Sequence, residues 1–191
     1  GVLINLNKIK SDAFYELGKF AGNEVAQKLY DYHIINGGIS RYEKIKFLYF
    51  ELLKKNVSES EIRLEAKRYG KILLEKILKA DIATGLDILR KKNKFAIWSV
   101  VSGGDQEELQ KIFKINKLEK FFGKNIFGSP RNKFEIIDNE ITKNCFRQPT
   151  IFIGDSKYDY EVATKYDFDF IYLSDWSEWR PQLSDKIKYK F

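Results

Sequence analysis

A chain of 191 residues with 43% hydrophobic content can bury one ordinary core, or a core with a smaller inserted module. No apolar run approaches the ~20 residues of a membrane span, and the opening residues do not read as a secretion signal. A net charge of +7 comes from lysines interspersed with acids, not bunched into a stripe; this describes a solvated surface and argues against a nucleic-acid partner.

Single residues narrow the classes further. Cys145, the one cysteine, excludes an internal disulfide and fits a reducing, cytoplasmic setting. His33, the one histidine, excludes His-rich metal sites and disfavours a Ser-His-Asp triad.

In chain order, residues 8–80 read as helical. Leu17, Phe20, Ala21, Val25 and Leu29 recur at helix spacing. A turn is expected at Asn36-Gly37-Gly38, with Ser40 as the N-cap of a second helix whose apolar face is Ile45, Leu48, Tyr49 and Leu52. Ser58 with Glu61 has the form of a capping box opening a third. From about Asp81 the texture changes to alternating helices and strands. A helix over 84–92 leads to a strand over 95–101 and a helix from Asp105 to about Phe113. A short strand near 125–127 and a helix over 131–142 come next. The strand 150–153, a helix over 157–166 and the strand 168–173 complete the run. This alternation predicts an α/β fold with a doubly wound parallel sheet. The tail with Trp176, Trp179 and Pro181 is expected to pack across the sheet edge.

Three segments carry candidate chemistry. In Ser99-Val-Val-Ser102-Gly103-Gly104-Asp105 a buried strand ends in a hydroxyl and two glycines before a helix begins, an arrangement suited to an anion. In Phe127-Gly-Ser-Pro-Arg-Asn-Lys133 a lysine sits at a helix start, against the unfavourable end of the dipole, which is reasonable if it neutralises carboxylates and a phosphate. In Thr150-Ile-Phe-Ile-Gly154-Asp155-Ser-Lys-Tyr-Asp159 an apolar strand delivers one acid to its C-terminal edge and a second four residues on, a pair suited to a hard cation. The bland alternative is that Asp155 only caps the helix near Ser156. Each segment follows a predicted strand, so all three share one sheet edge, and a phosphoryl group between metal and lysine is their natural occupant.

This order resembles motifs two, three and four of the haloacid dehalogenase superfamily of phosphohydrolases, with a texture similar to phosphoglycolate-phosphatase-like members. Ser102 matches the motif-two hydroxyl, Lys133 the motif-three lysine, and Asp155 and Asp159 the motif-four acids. The opening Gly1-Val2-Leu3-Ile4 resembles the stretch immediately after the paired aspartates of motif one. The resemblance implies a discontinuous core over 1–7 and 81–191, with 8–80 as an inserted helical cap of the C1 type. It also implies Mg²⁺ held with the help of Asp155, with Asp159 either ligating it through water or orienting Lys133, and a phosphate held by Ser102, the N–H groups of Gly103 and Gly104, and Lys133.

The expected activity is hydrolysis of a small phosphorylated metabolite through an aspartyl-phosphate. His33, Asn36, Arg41 and Lys44 of the cap are the candidates for choosing the substrate, with Arg41 able to fork onto a carboxylate. If Gly1 is the motif-one glycine, the nucleophile and its strand precede it, and the chain is expected to be an inactive fragment with a truncated first core strand. A degenerate phosphatase fold that only binds a phosphorylated ligand, and a sugar-phosphate mutase, are the alternatives. Monomer and homodimer are both open.

Overall fold

The computed structural model describes residues 1–77, 79–142, 148–182 and 189–190; Cys145 lies outside them. The first half is helical. Helix α1 (Asn7–Gly18) passes through a 3-10 turn (Lys19–Ala21) to α2 (Asn23–Ile35). The spacing predicted from Leu17 to Leu29 is broken at Gly22, whose φ of 98° reverses the chain, and this leaves Phe20 exposed. Helix α3 (Arg41–Lys46) runs on as a π-helical stretch (Phe47–Leu52), and α4 (Glu59–Ile77) closes the block.

The caps form where the sequence places them. Ser40 accepts from the Tyr42 N–H at 3.3 Å, and Ser58 and Glu61 exchange hydrogen bonds as a capping box. Ala13, Phe14, Leu17, Leu29, Ile45, Leu48, Ile62 and Leu73 fill one hydrophobic core. No helix among the described residues is long and apolar enough to cross a membrane.

One antiparallel bridge, between Ile4 and Ile82, ties the stretch before α1 to the chain beyond α4. The Asn5 N–H donates to the Asp81 carbonyl and the Ala83 N–H to the Leu3 carbonyl, both at 2.9 Å. The second half then alternates: α5 (Leu86–Lys92), β1 (Val100–Asp105), α6 (Gln106–Ile115), α7 (Glu119–Phe122), β2 (Ile126–Ser129), α8 (Lys133–Thr142), β3 (Ile151–Gly154), α9 (Lys157–Lys165), β4 (Asp169–Tyr172) and β5 (Tyr189–Lys190). All ladders among the described residues are parallel, as the alternation predicts.

The sheet comes in two pieces, β1–β2 and β3–β4–β5. Helices α6 and α8 pack on the first piece and α9 on the second. Between β1 and β3 lies a cavity of about 960 Å³. The strand predicted over 95–101 starts only at Val100, and Phe95 and Ile97 are 91% and 64% exposed. A strand exists through its ladder, and β2 reaches no further back than its pairing with Val100. On the other side of the cavity Ile151 and Ile153 are 59% and 41% exposed.

Candidate active site

The β1 terminus is re-aimed by an irregular ladder. From Val101 to Asp105 the chain takes four steps, while β2 takes two from Phe127 to Ser129. The surplus bulges outward at Ser102–Gly104, as bulges commonly do beside functional sites. Ser102 Oγ accepts from the Gly104 N–H at 3.0 Å, which leaves the hydroxyl proton free to donate. The Gly104 N–H is therefore engaged within the turn, unlike the free donor expected from the sequence. Gly103 meets the helical block: a Cβ there would stand 2.5 Å from the Gly38 carbonyl oxygen. Asp105 caps α6 by accepting from Glu107 and Glu108 N–H groups at 3.1 and 3.2 Å.

Lys133 opens α8 behind a reciprocal cap between Asn132 and Glu135. Its side chain is buried and ion-paired with Asp159, which offsets the repulsion between an ammonium and the positive end of a helix. Asp159 is fully engaged. Beside Lys133 it accepts from Ser156 Oγ at 2.7 Å and from the Ser156 N–H at 3.2 Å, and Ser156 in turn caps its N–H.

Ser156, not Asp155, is thus the N-cap of α9, and the Asp155 carboxylate is left for the cavity. Asp155 Oδ2 accepts from Asn7 Nδ2 at 2.6 Å, and Oδ1 lies 3.5 Å from the Gly1 amine. Burial pushes this carboxyl up, and the Asn7 amide, Lys133 and Lys10 oppose that by favouring the carboxylate. Its backbone carbonyl accepts from Ser177 Oγ at 2.5 Å.

The cavity collects most of the residues singled out from sequence: Ser102, Gly103, Gly104, Lys133, Asp155 and Asp159 line it, with His33 and Arg41 from the helical block. Gly37 and Gly38 press their turn onto Ser156, and a Cβ on Gly38 would stand 3.4 Å from Lys133 Nζ. Asn36 turns its amide back to the Tyr32 carbonyl at 2.9 Å and stands apart from the cavity wall. Arg41 is committed to Glu108 of α6, with both terminal nitrogens on the carboxylate at 2.8 and 2.6 Å and the guanidinium over the Tyr69 ring. That fork binds the helical block to the second half of the chain and takes the groups expected to grip a substrate carboxylate.

Four participants escaped the sequence reading. Asn7 joins Asp155 to the Trp176 carbonyl, where its amide also donates at 2.7 Å. Ser177 and Glu178 bring the tail to the site, and Trp179 anchors that tail against Tyr160 and Tyr172. Lys10 projects from α1 into the cavity wall. For Lys10 a signal existed: it lies three, four and seven residues before Ala13, Phe14 and Leu17, on the buried face of α1.

The donor set suits a hard cation that keeps most of its ligands outside the protein. Among the described residues no three His, Cys, Asp or Glu side chains gather round one point. Asp155, facing the cavity, fits the one or two carboxylates that Mg²⁺ takes when substrate oxygens supply the rest.

No protein-family model matches the sequence, and no curated protein matches it. Solved structures do. A predicted phosphoglycolate phosphatase from Haemophilus somnus 129pt is 16% identical with a TM-score of 0.71. A haloacid dehalogenase-like family hydrolase from Streptococcus pneumoniae is 17% identical with a TM-score of 0.64. Each alignment covers 100% of this chain and 89% of the other. At such identities the likeness is one of architecture, and the chain has the fold of the haloacid dehalogenase-like hydrolases.

Proposed function

We propose that this chain is the substrate-gripping body of a Mg²⁺-dependent phosphomonoesterase acting on a small phosphorylated metabolite. The observation that carries the reading is the buried Lys133–Asp159 pair set beside the cavity-lining carboxylate of Asp155, in one cavity with Ser102. Asp155 would hold the Mg²⁺, which supplies charge neutralisation at the phosphoryl oxygens when bound. Ser102 donates its hydroxyl proton to a phosphate oxygen. Lys133, fixed by Asp159, faces the charge that builds on the transferring group. Asp159 is a positioning residue: Lys133 and the α9 cap leave it no role as a direct metal ligand. The helices over 7–77 act as the cap, and Gly37 and Gly38 seal it against Ser156.

The aspartate nucleophile belongs, on this reading, to a strand that enters directly before Gly1 and lies between β1 and β3. In support, both strands present an unladdered edge to the cavity among the described residues, and Gly1 and Val2 line it. The test is phosphate release by the protein expressed from its complete reading frame. Activity is expected with Mg²⁺ and lost with a chelator. Asp155→Ala is expected to lower kcat by about 10²–10³-fold, the usual effect of removing one electrostatic contact at the reacting centre. Undiminished turnover by that variant, or without metal, overturns the assignment.

A further inference from the structure

We propose that Asn7 and Ser177 are positioning residues for Asp155: together they hold this acid in one orientation and so set how tightly the site takes up Mg²⁺. This rests on the phosphomonoesterase reading, and it gives α1 and the chain beyond β4 a part in holding the cation.

Three elements fix Asp155. Its N–H donates to Asp159 Oδ2 at 3.3 Å, in the first turn of α9. Its carbonyl accepts from Ser177 Oγ at 2.5 Å. Its Oδ2 accepts from Asn7 Nδ2 at 2.6 Å. Oδ1, with the Gly1 amine 3.5 Å away, accepts no hydrogen bond among the described residues and is the oxygen left for the cation.

The Asn7 amide can point only one way. Asp155 Oδ2 and the Trp176 carbonyl, 2.7 Å away, are both acceptors, so the NH₂ end must face them and the amide oxygen cannot take its place. One amide thus ties the acid to the tail. Ser177, 5% exposed, follows Trp176 and closes the circuit on the Asp155 carbonyl. The tail is itself held. The Ser177 N–H donates to the Ser174 carbonyl at 3.2 Å, and the Tyr172 hydroxyl to the Trp179 carbonyl at 2.6 Å. Glu178 accepts from Ser11 Oγ, one turn along α1 from Asn7, at 2.9 and 2.8 Å.

A carboxylate free to rotate must be ordered by the cation it binds, and that cost weakens binding. Asn7 and Ser177 meet it in the folded protein, before the cation arrives. The hydrogen-bond partners of a metal-binding side chain are worth about 10–100-fold in metal affinity. A neutral amide suits this task. It satisfies Oδ2 and carries no charge to repel Mg²⁺, whereas a lysine in its place would set a second positive charge beside the cation.

Calorimetric titration of MgCl₂ into the protein expressed from its complete reading frame tests this, together with the Mg²⁺ dependence of its phosphate release. Asn7→Leu keeps the shape of the side chain and removes both donors. It should weaken Mg²⁺ binding by about 10–100-fold. The Mg²⁺ concentration for half-maximal rate should rise by the same factor, while kcat at saturating Mg²⁺ stays within about twofold of the unaltered protein. Ser177→Ala should weaken Mg²⁺ binding by about 2–10-fold, the worth of one neutral hydrogen bond. Lys8→Gln, next on α1 with its ammonium turned to Asp12 at 2.7 Å, should preserve it. If Asn7→Leu does not fold, Ser177→Ala decides by the same split. Unchanged Mg²⁺ affinity overturns the positioning role and leaves the phosphomonoesterase reading standing. An equal loss in Lys8→Gln also overturns it, as does a fall in kcat that excess Mg²⁺ does not restore. An unaltered protein that takes up no Mg²⁺ overturns both.

Discussion

Lys44 and His33 form a pair that a fold selected only for stability would avoid. Burial, then Lys44, then Lys10 hold the His33 imidazole well below its ordinary value of 6.5. The groups facing it are those two ammoniums and the Phe14 ring, whose centroid is 4.6 Å away. The unfolded chain takes up a proton near pH 6.5 that the folded ring refuses. Stability contributed by the neutral ring is therefore whole above that pH and lost as pH falls below it. Urea unfolding at pH 7 and pH 5 should show a smaller acid loss for His33→Gln than for the unaltered protein. Burial first, then Lys10, holds Lys44 well below the ordinary lysine range; Lys44→Met keeps the length of the side chain and removes this desolvated amine, and should raise the unfolding free energy by about 1–3 kcal/mol. A lower midpoint for Lys44→Met would make the lysine a structural necessity. Ser102 and Asp155 were legible because each follows a strand-like apolar run, and Lys133 because it stands at a helix start where a cation is out of place. Lys10 was missed: only its register with Ala13, Phe14 and Leu17 separates it from Lys8, which points outward to Asp12 at 2.7 Å.

Among the elements, caps and contacts between backbones govern what could be read. The helix starts at Ser40 and Ser58 were announced by side chains that bond their own first turns, whereas the caps supplied by Asn132 and Ser156 were not singled out. The strand over 95–101 was mislaid because apolar residues mark a surface that wants covering, whereas a strand also needs a neighbour's backbone in register. The fit of the 36–38 turn on the β1 bulge was not legible either, since it depends on two glycines sixty-odd residues apart. A methyl group on Gly103 would stand 2.5 Å from the Gly38 oxygen and 3.1 Å from the Ile39 oxygen, both main-chain atoms with little room to move. Gly103→Ala should accordingly lift the helical block off the site. Limited proteolysis near residues 36–38 should accelerate, and phosphate affinity should fall at least about tenfold, on the scale of overpacking penalties of about 1–3 kcal/mol. Unchanged cleavage and affinity would show that the turn yields without consequence.

Across the whole molecule, the Arg41–Glu108 fork is one of the polar joints between the helical block and the α/β half, and the bidentate ion pair among them. Arg41 is buried and Glu108 is partly open to solvent. Glu108→Ala leaves the guanidinium without its counter-charge, while its Nε already lacks a partner. A loss of about 2–3 kcal/mol is expected by denaturant titration, somewhat below the full cost for a completely buried pair. The sequence exposed both residues but not their pairing, which joins positions on separate halves of the chain.

The division of the sheet has a mechanical corollary. Ser102 and Lys133 hang from the half-sheet β1–β2, whereas Asp155 and Asp159 hang from β3–β4–β5, and the Lys133–Asp159 pair crosses the seam. A bound phosphoryl group would rivet the halves together. Rigidity should then spread outward from the ligand, slowing amide exchange along Ile151 and Ile153 far more than in the stretch Phe47–Leu52, none of whose residues lines the cavity.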